Sequence, residues 1–149
     1  MLEIGFYENV EESLLKYAVI VSKYRGKWVL CKHKERVTLE CPGGHREKGE
    51  AIDDAAKREL YEETGATEFQ ISRVCVYSVN GSDGVVQNKE ETFGMLYYAE
   101  ISAFGPLPAE FEMERVELMD SLSGINWTYP GIQPALVKQA IGTGAPEEF

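Results

Sequence analysis

The sequence predicts a mixed α/β fold in which a β-sheet lies between helices. Short apolar segments rich in β-branched residues occur on both sides of residues 51–64, a segment rich in Ala, Leu and Glu and free of Gly and Pro. A second helical segment, residues 134–141, has Pro in its first turn. Strands that flank a helix favour a sheet covered by helices. A length of 149 residues suits one compact domain, so we expect residues 1–149 to form a single domain.

The predicted strands follow one another along the chain with clear breaks between them. Residues 16–23 and 27–32 are apolar or alternating and are separated by Tyr24-Arg25-Gly26, which indicates a hairpin. Residues 37–41 are predicted to be extended and run into the strong breaker Pro42-Gly43-Gly44, while residues 1–16 are a short strand or irregular. We expect two longer strands at residues 69–79 and 92–101, a polar loop over residues 80–90 between them, and a short strand at residues 115–119.

The helix predicted at residues 51–64 ends before Gly65 and carries an unusual group of acids. Helical spacing places Ile52, Ala55 and Ala56 on an inward arc, and three glutamates continue that arc: Glu59, Glu62 and Glu63. The opposite side holds Asp54, Lys57, Tyr61 and Thr64. A solvated acidic face is the simpler interpretation. However, the acids replace the expected apolar stripe, and like charges held together need a neutralising partner such as a hard divalent cation.

The charge distribution restricts the function classes. The net charge is −10, which argues against a general nucleic-acid binder. Residues 23–48 nevertheless carry eight Lys or Arg against three Glu, and residues 51–149 carry six against seventeen Asp or Glu. The basic stretch favours a small polyanion, and the acidic remainder favours a divalent cation.

Cysteine usage and apolar patterning bound the environment of the chain. Three cysteines without a C-x-x-C pair support neither a disulfide framework nor a zinc ribbon. No apolar run is long enough to cross a bilayer, and the first residues are acidic where a secretory signal would be basic. We therefore expect a soluble cytoplasmic protein without a membrane partner.

A longer motif surrounds the glutamates and resembles the Nudix box, GX5EX7REUXEEXGU, in which U is a bulky aliphatic residue. Gly44 is followed by five residues and Glu50, then by seven residues and the segment Arg58-Glu59-Leu60-Tyr61-Glu62-Glu63-Thr64-Gly65-Ala66. All fixed positions match, and Ala66 at the last aliphatic position is the one departure. The resemblance implies an α/β/α sandwich and metal-dependent hydrolysis of a nucleoside diphosphate linked to another moiety.

The resemblance also implies roles for individual residues. Mg²⁺, or Mn²⁺ in its place, would be bound by Glu59, Glu62 and Glu63, with Glu50 as a supporting acid. Glu59 would activate water, with Glu62 beside it, and Arg58 would orient the carboxylates. The segment Glu117-Leu118-Met119 resembles one of the MutT-type subgroup, which makes Glu112 the first choice for a further acid outside the box; Glu114, Glu90 and Glu91 are the alternatives.

The candidate substrate-binding residues come from three parts of the chain. Lys32, His33, Lys34, Arg36 and His45 precede or enter the box and could face phosphates, or could simply be solvated charges. Leu39-Glu40-Cys41-Pro42-Gly43-Gly44 resembles a segment of the triphosphate-cleaving subgroup, although Cys41 replaces its aromatic residue. In MutT-type proteins the region before the last helix reaches a purine edge, which implies Gln133 or Asn126 for hydrogen bonding and Trp127 or Tyr129 for stacking.

The favoured function is hydrolysis of a nucleoside triphosphate, with 8-oxo-dGTP as the named candidate. The alternatives are cleavage of a nucleoside diphosphate sugar such as ADP-ribose, and a non-catalytic module that binds a nucleotide. The last class usually has a broken box, whereas this box is complete. The expected partner is a small nucleotide and not a nucleic-acid polymer, and the protein is expected to be a monomer or a homodimer.

Overall fold

The computed structural model of the chain describes residues 1–142. Within that range one seven-stranded mixed sheet is formed, and the α/β prediction is confirmed. The strands are β1 (Leu2–Tyr7), β2 (Leu15–Tyr24), β3 (Lys27–His33), β4 (Gly43–His45), β5 (Ala66–Ser82), β6 (Gln87–Phe104) and β7 (Met113–Met119). The helices are α1 (Ile52–Thr64) and α2 (Gln133–Ile141), and a short 3-10 helix spans Glu12–Leu14.

The order of the strands is β1-β5-β6-β2-β3-β7, with β4 also paired to β2. Strands β2 and β6 run parallel, and every other pair is antiparallel. One edge of β2 is shared, because β4 pairs with its first half at Tyr17–Val19 and β3 pairs with its end at Lys23 and Tyr24. This split places the three residues of β4 in the middle of the sheet, directly beside α1.

The core has two layers, one on each face of the sheet. On one face, Ile52, Ala55 and Ala56 of α1 point inward as the helical spacing predicts, and Leu60 is buried beside them. They pack against residues of β2 and β6. On the opposite face of the sheet, Leu136 and Val137 of α2 pack against residues of β2, β3 and β6. No helix within residues 1–142 has the length and apolar character that a bilayer span requires.

Three sequence predictions differ from the structure. The predicted loop at residues 80–90 is shorter, because β5 continues to Ser82 and β6 begins at Gln87. Residues 37–41 form only isolated bridges, Leu39 with Trp127 and Glu40 with Cys31. Thr64 is buried and not on an exposed face, because its hydroxyl donates to the Leu60 carbonyl (2.6 Å) and accepts from the Ala66 amide (3.1 Å).

The packing of α1 yields a stability prediction. Leu60 is fully buried between α1 and the sheet, whereas the adjacent Tyr61 is 44% exposed. We expect Leu60→Ala to lower the free energy of unfolding by about 2–5 kcal/mol, because it removes buried methyl groups and leaves a cavity. Tyr61→Ala is the matched control and should change it by less than about 1 kcal/mol. Urea denaturation measures both free energies. An equal loss of unfolding free energy in the two variants would contradict the finding that Leu60 lies on the buried face of α1 and Tyr61 on the exposed face.

Candidate active site

The two ends of α1 are fixed by specific backbone contacts. At its start the Ile52 amide donates to the Glu12 carboxylate (3.4 Å), so a side chain from the 3-10 helix satisfies a free helical donor. At its end Gly65 adopts a left-handed φ of 77°, and a Cβ there would lie 2.9 Å from the Gly105 carbonyl oxygen. Only glycine therefore fits this cap without strain. The helix is held at both ends, and so the direction of its glutamates is fixed.

Two glutamates of α1 lie against the glycines of β4. The Gly43 amide donates to Glu63 Oε1 at 2.8 Å. The carboxylate of Glu59 occupies the space where a side chain of Gly44 would be, since a Cβ at Gly44 would lie 1.6 Å from Glu59 Oε2. Glu59 is only 9% exposed as a result. The glycines thus allow two carboxylates to approach the backbone of the sheet.

Arg58 holds the surrounding acids in place. Its guanidinium donates two hydrogen bonds to Glu50 (2.8 and 3.0 Å) and one to Glu59 (3.0 Å). It also lies 3.4 Å from Glu62 and donates to the His45 carbonyl (3.0 Å). One arginine therefore joins three carboxylates of the box to β4; its role in orienting them for the reaction stays a prediction.

The electrostatics of the carboxylates differ according to their burial. Burial raises the pKa of Glu59 to about 7, with Arg58 opposing this and Glu62 reinforcing it. Burial raises the pKa of Glu63 to about 9, although the Gly43 amide opposes the shift. Hydrogen bonds from Arg58 lower the pKa of Glu50. Two acids of the cluster are therefore poorly neutralised by the protein itself.

The donor set suits a hard divalent cation. Carboxylate oxygens are the preferred ligands of Mg²⁺, and Glu59 and Glu63 are buried without a full complement of positive charge. Among residues 1–142 no group of three or more His, Cys, Asp or Glu side chains converges as a finished metal site. Glu50, Glu59 and Glu62 are each ion-paired with Arg58, at 2.8, 3.0 and 3.4 Å. The residues fit the cation in chemistry and in position along α1.

Glu112, predicted as the further acid, lies in the segment before β7. Its carboxylate is 3.5 Å from His33 Nε2, and its side chain is 76% exposed. Its charge contributes to the raised pKa of Glu63. Its part in metal binding stays a prediction.

A cavity of 280 Å³, here called the aromatic cavity, lies on the other side of the two glycines. Tyr17, Tyr77 and Tyr129 line it, and polar groups reach it from Glu40, Asn88 and Gln133. Gly43, Gly44 and His45 of β4 form part of its wall. Since Glu59 and Glu63 contact the same glycines, the aromatic cavity and the glutamates are separated by only one strand.

The candidate substrate residues divide into two groups. Gly43, Gly44, His45 and Gln133 line the aromatic cavity. The basic candidates outside it are paired with acids: Lys32 with Glu114 (3.0 Å), His33 with Glu112 (3.5 Å) and Arg36 with Glu40 (2.9 Å). Lys34 donates to the Ala109 carbonyl (2.8 Å). These partners lie far away in sequence or on the other side of a turn, and spacing alone does not reveal them.

Several residues of the cavity were not singled out from the sequence. Tyr17, Tyr77 and Asn88 lie in predicted strands or loops that carried no motif. Glu40 is buried and ion-paired, and the only signal for it was its place beside Cys41 in the segment before the glycines. Burial raises the pKa of the Cys41 thiol to about 12, so this cysteine stays protonated and is unsuited to act as a nucleophile.

Comparison with known proteins agrees with this arrangement. Residues 14–125 match the family model described as the NUDIX domain. YtkD of Bacillus subtilis (strain 168), provisionally named an 8-oxo-dGTP diphosphatase, is 31% identical over 121 residues, which are 81% of this chain and 72% of that protein.

Solved structures share the fold at lower identity. The Bacillus subtilis pyrophosphohydrolase BsRppH has a TM-score of 0.74 and 23% identity, covering 93% of this chain and 88% of that chain. A MutT NUDIX hydrolase from Burkholderia pseudomallei has a TM-score of 0.54 and 21% identity, covering 70% and 81%. The α/β/α arrangement is therefore that of known NUDIX structures.

The raised pKa values of Glu59 and Glu63 predict how the metal-free protein responds to pH. Both carboxyls ionise near pH 4.3 when unfolded and near pH 7 and 9 when folded. Their contribution to stability is complete below about pH 4.3 and is lost as the pH rises through 7 and 9. We expect the Tm in chelator to fall by about 5 °C or more between pH 5 and pH 9. In thermal melts, the double variant Glu59→Gln/Glu63→Gln should lose less Tm over this pH range than the wild type. A Tm loss in the double variant as large as that of the wild type would contradict the prediction.

Proposed function

The chain belongs to the NUDIX family of hydrolases, and from that premise we propose that it hydrolyses a phosphoanhydride bond of a nucleoside triphosphate. The observation that carries the proposal is the single strand, β4, between the glutamates of α1 and the aromatic cavity. A base bound in that cavity would leave its phosphate chain beside Gly43 and Gly44, within reach of Glu59 and Glu63. Base recognition and hydrolysis would thus take place on opposite sides of one strand.

Each residue of the box has a proposed part in the reaction. A divalent cation held by Glu59, Glu62 and Glu63, with Glu50 and Glu112 in support, would neutralise phosphate oxygens and acidify water. Glu59 accepts the proton of the attacking water, whose oxygen forms the new bond to phosphorus while the phosphoanhydride bond breaks. Arg58 orients Glu59 and Glu50, and the Gly43 amide fixes the direction of Glu63.

Hydrogen-bonding groups in the aromatic cavity favour a base that carries both a carbonyl and a ring N–H. Gln133 accepts from the Cys41 amide (2.8 Å) through Oε1, which directs its NH₂ group to act as the donor toward a ligand. Asn88 donates to Thr92 Oγ1 (3.0 Å) and to the Val79 carbonyl (3.4 Å), which leaves its carbonyl oxygen as an acceptor. One donor and one acceptor match the edge of an oxidised or normal guanine.

The identity of the substrate is proposed on the same basis. Tyr17, Tyr77 and Tyr129 supply ring surfaces against which a purine can pack. The provisional name of the relative YtkD, an 8-oxo-dGTP diphosphatase, agrees with a guanine nucleotide. We therefore place 8-oxo-dGTP first among the candidate substrates, with ADP-ribose as the comparison substrate of the other class.

The paired cations have a weaker part in this proposal. Lys32, His33 and Arg36 reach phosphates only if they exchange a carboxylate partner for the substrate. Arg36 is the best placed of them, because Tyr129 and Glu40, which both line the aromatic cavity, contact it. We further propose that residues 1–149 act as one domain, as a monomer or homodimer in the cytoplasm, on small nucleotides only.

Dependence on a divalent cation is the first test of the mechanism. We expect hydrolysis of 8-oxo-dGTP to cease after exhaustive chelation and to return with Mg²⁺ or Mn²⁺. The release of phosphate or pyrophosphate measures the reaction. Mg²⁺ should also raise the Tm, since it binds the folded glutamates and not the unfolded chain. A rate that survives chelation unchanged would refute the proposed metal role.

The second test removes one charge from the cluster. Glu59→Gln keeps the size of the side chain but provides neither a base nor a good metal ligand, so kcat should fall by at least about 10²-fold. The Tm in metal-free buffer should stay equal or rise, because a poorly neutralised buried charge is gone. Glu68→Gln, an exposed change in β5, is the control and should keep full activity. Near-full turnover by Glu59→Gln would mean that the proposed mechanism is wrong.

A further inference from the structure

A second cavity, here called the charged cavity, shares the lining residue His45 with the aromatic cavity. It measures 500 Å³ and lies against residues 45–50, the turn that joins β4 to α1. The turn is well defined, because the Glu50 amide donates to the Glu47 carbonyl and the Glu47 amide donates to the Glu50 carboxylate, both at 3.0 Å. His45 lines both cavities, so the two meet at this residue of β4.

The cations of the charged cavity are available to a ligand. Lys16 is the extra residue of a β-bulge, since Leu15 pairs with Phe93 and Tyr17 pairs with Gly94. Such a bulge directs a side chain away from the regular ladder. Within residues 1–142 the ammonium groups of Lys16 and Lys48 have no hydrogen bond or salt bridge. Arg46 adds a third positive charge; it donates to the Ser13 carbonyl (3.4 Å) and lies 3.9 Å from the Glu12 carboxylate.

The two acids that line the charged cavity, Glu47 and Glu50, are neutralised by Arg58, which lies outside the lining. Arg58 binds Glu50 with two hydrogen bonds and lies 4.0 Å from Glu47. The two carboxylates of the lining therefore face an arginine that does not line the cavity, and within residues 1–142 Lys16 and Lys48 remain without a carboxylate partner. In this respect the two lysines differ from Lys32, His33 and Arg36, each of which has its own carboxylate partner.

We propose that the charged cavity binds the phosphates that lie beyond the scissile bond, through Lys16, Arg46 and Lys48. This inference rests on the proposed function, because it assigns the far end of the same substrate. The phosphate chain would leave the aromatic cavity, pass Gly44 and His45 beside Glu59, and end among the three cations. Among the described residues no Phe, Tyr or Trp side chain lines the charged cavity, so it suits phosphates and not a second base.

Binding of inorganic tripolyphosphate tests this site without requiring turnover. Isothermal titration calorimetry in Mg²⁺ buffer at low salt compares the wild type with the double variant Lys16→Met/Lys48→Met. The matched control, Lys27→Met/Lys89→Met, removes the same charge from residues that line neither cavity. We expect the Kd of the first variant to rise about tenfold, as the loss of two exposed charge contacts implies, and the control to match the wild type.

Steady-state kinetics supply the second readout and separate the two proposals. The KM of Lys16→Met/Lys48→Met for a nucleoside triphosphate should rise. Added salt should raise the KM of this variant less than it raises the KM of the wild type. Equal Kd values in both double variants, or no binding of tripolyphosphate by the wild type, would overturn the inference. Failure of the wild type to hydrolyse any nucleotide would refute the proposed function instead, and the calorimetric comparison would still report on the charged cavity. Equal Tm values show that both variants are folded.

Discussion

The contact between α1 and β4 is the constraint on which the rest of the site depends. Burying two carboxylates against a sheet is unfavourable, because each loses hydration that the protein only partly replaces. The chain offsets this with one backbone amide from Gly43 and one guanidinium from Arg58. It also needs Gly44, since any side chain there would occupy the position of the Glu59 carboxylate. The motif is thus a set of residues that depend on one another sterically and electrostatically.

The split edge of β2 explains why this contact also organises the ligand sites. Because β4 is only three residues long and is paired to β2, Cys41 before the strand and His45 at its end lie on either side of the glycines. The Pro42 carbonyl accepts from the Ile20 amide (2.9 Å), which continues the pairing without a regular strand. The aromatic cavity opens on one side and the charged cavity beyond His45. A rearrangement of β4 would therefore disturb both cavities and the glutamates together.

Local signals predicted α1, its inward arc and its end at Gly65, because these depend on propensity and helical spacing. The positions of β2, β3, β5, β6 and β7 were predicted for the same reason, but their lengths were not, and β4 lies where a breaker was predicted. Residues 80–82 and 87–91 are polar, and they become strand because β5 and β6 pair with each other and β1 pairs with β5 at Leu2–Tyr7. The ion-pair partners of the basic residues could not be predicted from the sequence either. Lys32 and Glu114, for example, come together only because β3 pairs with β7. Non-local pairing is what a single sequence does not display.

The net charge of −10 does not oppose an anionic substrate, because charges act over short distances in salt. At physiological ionic strength the screening length is about 8 Å, so exposed acids on the far edges of the sheet contribute little at the site. What matters is the balance within that distance of β4. There Arg58 neutralises Glu50 and Glu62, and Glu59 and Glu63 have raised pKa values. Lys16 and Lys48 carry positive charge without a carboxylate partner among residues 1–142. A divalent cation bound to the glutamates would complete a positive path along β4, and so the acids that repel phosphate in isolation would instead attract it through the cation.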